Sequence, residues 1–165
     1  DLHLPRLVGD MLEFLYLLGR GPVHGVGYSL GGGVSLYAAK QRPDTFKSLV
    51  LLGTTYHARQ KQVPIALGGP LEDQPPMVQT VFDPQTGITN GWDAPGESFK
   101  GITCPVLIIC ADHDEFSGPE ASRTLYRTLP NAELLVVPHC DHLGLVRNPH
   151  VLEGVRAFYE RTQGE

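Results

Sequence analysis

Three segments of this 165-residue chain carry side chains suited to nucleophilic catalysis. Ser29 lies in the stretch GVGYSLGGG, between Gly27 and Gly31. Asp114 lies in ADHDEF, and His142 lies in PHCDH. A serine hydroxyl is a weak nucleophile unless a base takes its proton, and the base needs an acid to orient it. One known arrangement places these roles in the chain order serine, acid, histidine, which is the order found here.

Four apolar segments predict β-strands, and helical segments separate them. The strands are predicted at 22–28, 48–53, 105–111 and 133–137. Apolar residues at helical spacing predict helices at 5–19, 119–129 and 149–161. A stretch rich in small residues that ends before Pro43 predicts a further helix at 30–41. The uninterrupted apolar runs of the three later strands are typical of strands buried on both faces. The alternation therefore predicts an α/β fold, with a parallel sheet flanked by helices.

Ser29 is predicted to occupy a tight turn between the first of these strands and the helix that follows it. Such a turn lifts the serine hydroxyl above the sheet. Gly27 and Gly31, two residues on either side, are expected to give the turn its room. The first free N–H groups of the helix face the same point, so the backbone N–H of Leu30 is the predicted oxyanion donor.

The segments GYSLGG, PVLIICADHDEFSGPE and VVPHCDHLGLVRNP together resemble the motifs of α/β-hydrolases. The resemblance covers the chain except residues 57–100. It implies a serine hydrolase of the esterase or lactonase kind, with Ser29 as nucleophile, Asp114 as acid and His142 as base, and with neither a cofactor nor a metal. Asp112 is the alternative acid. Asp114 is favoured because the family's acid closes a G-x-x-D pattern, in which Ala111 takes the glycine position here.

The resemblance also implies that strands present in the family are missing before the predicted helix 5–19. A loop among those strands supplies the second oxyanion donor in the family. We therefore expect residues 1–165 to form one N-terminally incomplete domain, the C-terminal part of an α/β-hydrolase fold. His24-Gly25 is similar to the family's HG motif but lies within the strand before Ser29. That strand is then an exposed sheet edge, which predicts possible self-association.

Residues 57–100 differ in character from the rest of the chain. They contain many of the prolines and glycines and the single tryptophan, Trp92, without clear periodicity. A long segment of this kind is better interpreted as an insertion than as a loop, and we predict a short lid-like element. Tyr28 and Trp92 are the predicted substrate-binding residues. A small lid favours a small-molecule substrate over a polymer.

The composition excludes several classes of partner. The formal net charge is −5 and there is no basic run, which argues against nucleic acid. No apolar stretch approaches the roughly 20 residues of a membrane-spanning helix, and no membrane association is predicted. Three cysteines make no disulfide framework, so a reducing compartment, the cytoplasm, is expected.

Several alternative readings remain open at this stage. The glycine-rich stretch is a weak match to a phosphate-binding loop, because the lysine of such loops is absent. Cys140 is an alternative nucleophile. A chain without half of its oxyanion hole is also compatible with a non-catalytic binding or interaction protein, or with an inactive fragment. A hydrolytic metal site is a further alternative, with candidate ligands Asp112, His113, Asp114, His139, Cys140, Asp141 and His142.

Overall fold

A four-stranded parallel sheet flanked by helices forms the centre of the molecule. The computed structural model describes residues 2–57 and 68–162. Its strands are β1 (Val23–Tyr28), β2 (Phe46–Leu52), β3 (Val106–Ala111) and β4 (Ala132–Val137). Its helices are α1 (Leu4–Leu18), α2 (Leu30–Gln41), α3 (Pro76–Val81), α4 (Gly118–Thr128) and α5 (Pro149–Thr162). The predicted α/β class is confirmed, as are the four strands and the four longer helices; the short α3 was not predicted.

The strands lie side by side in the order β1-β2-β3-β4, and each neighbouring pair is parallel. All four carboxyl ends therefore meet at one edge of the sheet, which is where α/β proteins build their sites. Ser29 follows β1, Asp114 comes shortly after β3, and His142 comes shortly after β4. The topology thus gathers residues that are more than a hundred positions apart in the sequence.

The two central strands carry the core. Every residue of β3 is buried, and in β2 only Lys47 is exposed. The expectation of burial on both faces holds for these strands but is wrong for β4, where Val136 is 40% exposed. The reason is its position, because β4 is an outer strand of the described sheet and has one neighbour instead of two.

Alternation along the central strands divides the core into two layers, because successive side chains point to opposite faces of a sheet. Leu49, Leu51 and Ile108 pack with α1, α2 and α4 on one face. Val50 and Ile109 pack with α5 on the other. In the described ranges, no helix is both long and apolar enough to cross a bilayer.

The described part of the predicted insertion is joined to the core. Trp92 and Phe99 are buried members of the layer that contains α1 and α2. The backbone N–H of Leu4 donates to the carbonyl of Asn90 at 3.0 Å, which ties the insertion to the start of α1. Residues 58–67 of the predicted lid lie outside the described residues, and the lid-like role of 57–100 stays a prediction.

Candidate active site

Ser29 occupies a strained backbone position between β1 and α2. Its dihedral angles are φ 51° and ψ −119°, a region that L-residues rarely adopt. The turn is fixed to the sheet, because the N–H of Ser29 donates to the carbonyl of Leu52 at 2.8 Å. The predicted sharp turn is therefore present, and it presents the serine at the carboxyl end of the sheet.

Close backbone packing at this turn depends on Gly27 and Gly32. A Cβ atom on Gly27 would lie 2.5 Å from the Cα of Gly32, and one on Gly32 would lie 1.8 Å from Oγ1 of Thr54. A Cβ atom on Gly31 would meet nothing within 4 Å. The expectation that Gly31 supplies room is thus wrong, because its Cα faces open space while that of Gly32 faces β1 and Thr54.

Ser29, His142 and Asp114 form a continuous hydrogen-bonded series, here called the triplet. The Nε2 atom of His142 lies 3.0 Å from Oγ of Ser29, and its Nδ1 atom lies 2.8 Å from Oδ2 of Asp114. Asp114 is 4% exposed and His142 is 7% exposed. With a proton on Nδ1, the imidazole keeps Nε2 free to accept a proton from the serine.

Asp114 is held as an anion that cannot turn away from the imidazole. Its other oxygen, Oδ1, accepts hydrogen bonds from the N–H groups of Phe116 and Ser117, both at 2.9 Å. Burial acts to raise the pKa of Asp114, but the hydrogen bonds from His142 and from these two N–H groups outweigh it. The net effect is a pKa below the ordinary value of 3.8. The carboxylate is accordingly charged at neutral pH.

Two aromatic rings stack against the imidazole of His142. The ring of Tyr28 lies 5.0 Å away at 32°, and that of Phe116 lies 4.8 Å away at 24°. The phenol of Tyr28 also donates to the backbone carbonyl of His142 at 3.1 Å. Burial, followed by the charges of Asp114 and Asp141, raises the pKa of Tyr28, so its hydroxyl stays a donor. Packing of this kind fixes the orientation of the imidazole ring.

The backbone N–H of Leu30 is available as a donor next to Ser29. Leu30 is the first residue of α2, where N–H groups have no acceptor within the helix. Within residues 2–57 and 68–162, no hydrogen-bond acceptor is found for it. The N-terminal end of α2 adds the positive end of its dipole at the same place. The arrangement suits a negative charge that develops beside Ser29.

The structure separates the remaining predicted residues from the triplet. Oδ1 of Asp112 accepts from the N–H of Cys140 at 3.1 Å, so Asp114 and not Asp112 contacts His142. Hydrogen bonds from the backbone of the loop that contains Cys140 lower the pKa of Asp112. Trp92 packs in the core, where a Cβ atom on Gly33 would lie 2.2 Å from its indole. Its predicted part in substrate binding stays a prediction.

Comparison with known proteins agrees with the fold described above. A family model described as alpha/beta hydrolase fold matches residues 1–82. The chain belongs to the α/β-hydrolase fold family. No curated protein matches it at the sequence level.

Solved α/β-hydrolase-like structures match over nearly all of the chain. A meta-cleavage product hydrolase from Pseudomonas fluorescens has a TM-score of 0.78 at 15% identity, covering 100% of this chain and 74% of that one. A monoacylglycerol lipase from Paleococcus ferrophilus has a TM-score of 0.69 at 19% identity, with coverages of 96% and 74%. An alpha/beta hydrolase enzyme from the metagenome of lagoon sediments at Mar Chica, Morocco has a TM-score of 0.75 at 21% identity, with coverages of 98% and 71%. Likenesses at these identities show the fold alone.

Sequence reasoning about this α/β-hydrolase missed Phe116, Ser117 and Thr54. Phe116 and Ser117 lie two and three residues after the acid, yet nothing in the sequence indicated that they contact His142 or hold Asp114. The hydroxyl of Ser117 donates to the carbonyl of Gly53, which joins the acid loop to β2. Thr54 donates to the carbonyl of Leu52 at 3.1 Å and packs on α2. The contacts of Phe116 with His142, of Ser117 with Gly53 and of Thr54 with α2 join segments that are distant in the chain.

Proposed function

We propose that this α/β-hydrolase cleaves a small-molecule ester, lactone or thioester through a covalent acyl-enzyme on Ser29. The observation that carries the proposal is the series of short contacts in the triplet, 3.0 Å from serine to histidine and 2.8 Å from histidine to aspartate. Both distances fall within the range in which a base can take a proton from a nucleophile. The catalytic residues of the proposal are Ser29, His142 and Asp114.

Acylation begins when Oγ of Ser29 attacks the substrate carbonyl carbon while Nε2 of His142 takes the hydroxyl proton. Asp114 stabilises the imidazolium and holds its tautomer, without itself being protonated. The carbonyl oxygen becomes an oxyanion, which accepts a hydrogen bond from the N–H of Leu30. The tetrahedral intermediate collapses when the imidazolium gives its proton to the leaving alkoxide or thiolate. An ester bond between the acyl group and Ser29 remains.

Deacylation repeats the same steps with water. His142 takes a proton from the water, and the resulting hydroxide attacks the acyl carbon. The second intermediate breaks at the bond to Oγ, and the proton returns from His142 to Ser29. The products are a carboxylic acid and the free enzyme, so the reaction balances without a cofactor.

The proposed substrate class rests on the surroundings of the triplet. The Tyr28 ring borders His142, and it is the proposed contact for the substrate together with Trp92 and the insertion. A carboxylic ester is the first choice among these bonds. We also propose a cytoplasmic location, on the ground that Cys104, Cys110 and Cys140 are all free thiols.

Fluorophosphonate labelling of the purified chain, read by intact mass, tests the proposal. We expect one adduct on the wild type and none on Ser29→Ala, because only a serine activated by a neighbouring base reacts rapidly with this probe. Ser35→Ala is the matched control, since Ser35 is a buried helix residue that donates to the carbonyl of Gly31. A folded wild-type chain that forms no adduct would instead support the non-catalytic binding or interaction role. If the wild type is labelled, hydrolysis of a panel of esters is measured next.

A further inference from the structure

A second cluster of polar side chains lies at the carboxyl edge of the sheet, outside the triplet. One carboxylate oxygen of Asp112 and one ring nitrogen each of His113 and His139 all lie within 4.8 Å of one another. Asp112 and His113 directly follow β3, whereas His139 follows β4. We propose that these three side chains bind a zinc ion and that the ion ties the two loops together. This proposal does not depend on the proposed hydrolase activity.

The donor set selects the class of metal. Two imidazole nitrogens and one carboxylate oxygen suit Zn²⁺, whereas Mg²⁺ and Ca²⁺ prefer oxygen ligands alone. Neighbouring ligand atoms of a tetrahedral zinc site lie about 3.4 Å apart. The ring nitrogens therefore need to close by little more than an ångström. His113 and His139 are exposed, so rotation of their side chains can achieve this without moving the core.

The backbone around the cluster already holds the two loops against each other. The N–H of His113 donates to the carbonyl of Cys140 at 3.0 Å, and the N–H of Cys140 donates to Oδ1 of Asp112 at 3.1 Å. Oδ2 of Asp112 lies 3.9 Å from Nε2 of His113. One oxygen thus fixes the carboxylate, while the other lies within 4 Å of the His113 ring nitrogen. The backbone of the two loops therefore has little ordering entropy left to lose when an ion binds, which favours affinity.

The cluster opens onto a surface cleft of about 440 Å³ that includes both histidines. Asp141 and Arg147 also line this cleft, and their formal charges offset each other. Asp112 therefore sets the sign of the charge around the cluster, which is favourable for a cation. The cleft leaves room for water as the fourth ligand of a three-residue zinc site.

The proposed zinc ligands and the triplet residues Asp114 and His142 lie on the same two loops, but they are separate in space. His113 precedes Asp114, and His139 lies three residues before His142. Asp114 and His142 are buried and bonded to each other, so they are not available to the ion. An ion on the outer set would crosslink the loop of the acid to the loop of the base. We expect it to stabilise the folded chain, because an ion that binds only the native state raises the melting temperature.

Calorimetric titration of the untagged, chelator-treated chain with ZnCl₂ tests the site. We expect one saturable site, with an affinity weakened at least about tenfold by His113→Ala, His139→Asn or Asp112→Asn. Asparagine suits position 139, where φ is 52°, because it tolerates left-handed backbone. At position 112 it keeps an oxygen that can accept from Cys140. His150→Ala is the control, since that exposed histidine is paired with Glu153, and we expect it to bind as the wild type does.

Thermal unfolding with and without zinc provides the second measurement. Zinc is expected to raise the melting temperature of the wild type and of His150→Ala, but not that of the double variant His113→Ala/His139→Asn. Equal melting temperatures without metal would show that the double variant is folded. The proposal is overturned if no saturable binding occurs up to about 100 µM zinc. It is equally overturned if the double variant binds zinc as tightly as the wild type, or if Mg²⁺ gives the same stabilisation.

Discussion

The phenol of Tyr28 donates a hydrogen bond to the backbone carbonyl of His142 at 3.1 Å, and its ring lies 5.0 Å from the imidazole. Tyr28 immediately precedes Ser29 in the chain. The last residue of β1 therefore places the loop of the histidine relative to the serine that the histidine faces. This relationship gives Tyr28 a positioning role that is separate from any contact with substrate.

Tyr28→Phe is expected to lower kcat/KM about twofold to tenfold, mainly through kcat. The change keeps the stacked ring and removes one hydrogen bond, which is typically worth about 0.5–1.5 kcal/mol. Steady-state kinetics on an ester substrate provide the measurement. Tyr126→Phe, on the partly exposed face of α4, is the control. An increase in KM with an unchanged kcat would contradict the positioning role and favour a direct contact with substrate.

Asp114→Asn is expected to lower kcat by about 1,000-fold or more, because the amide favours the wrong imidazole tautomer while leaving the geometry in place. Asp83→Asn is a matched control. Oδ1 of Asp83 accepts from the N–H groups two and three residues ahead, at 2.8 Å, which is the pattern found at Asp114. Single-turnover hydrolysis separates the two variants. Equal losses would mean that the turn matters and the contact with His142 does not.

Acid stability should depend on Asp114. Its folded-state pKa lies below the unfolded value, so its contribution to the free energy of unfolding is present above about pH 4 and is lost as the pH falls through the folded pKa. The stability difference between the wild type and Asp114→Asn is therefore expected to shrink as the pH falls from about 7 to about 3. Urea unfolding at a series of pH values measures this. A stability difference that stays constant with pH would show that the charge of Asp114 does not contribute to the free energy of unfolding.

Adjacent glycines at the start of α2 should respond in opposite ways to alanine. Gly32→Ala would place a Cβ atom 1.8 Å from Oγ1 of Thr54, with the backbone of Gly27 behind it. We expect it to destabilise the chain by at least about 1–3 kcal/mol. Gly31→Ala meets no neighbour and is expected to be neutral or to stabilise the helix by up to about 1 kcal/mol. Chemical unfolding tests both, and similar effects at the two positions would contradict the described packing.

The outer edge of β1 in the described sheet is the proposed surface for self-association. Val26 is 62% exposed on this outer strand, and an exposed apolar edge is a template for pairing with a second copy of the chain. We expect the weight-average mass of the wild type to rise with concentration in sedimentation experiments, and that of Val26→Lys to rise less. Tyr126→Lys changes a helix that packs on β3 and β4, at the other side of the sheet. An equal effect of both variants would show that general charge, and not the edge, is responsible.

Local patterns in the sequence were sufficient to predict the strands and the longer helices. They were also sufficient to predict the chain order of the candidate catalytic residues. The apolar runs of β2 and β3 are continuous because both faces of these strands are covered, and that continuity is visible without a structure. The glycines around Ser29 indicated a sharp turn for the same local reason. Parallel strands then imply that Ser29, Asp114 and His142 meet at one edge.

Tertiary structure decided what depends on distances between remote segments. The sequence treats Gly31 and Gly32 alike, and only the approach of Thr54 separates them. In the sequence, Asp112, His113 and Asp114 are consecutive. Only the fold turns Asp114 inward to His142 and leaves the other two beside His139. Composition and spacing report which groups a chain carries and which face of an element they occupy. Strand order and packing decide which groups come within contact distance of one another. The stacking of Phe116 on His142 is a contact that only this packing creates.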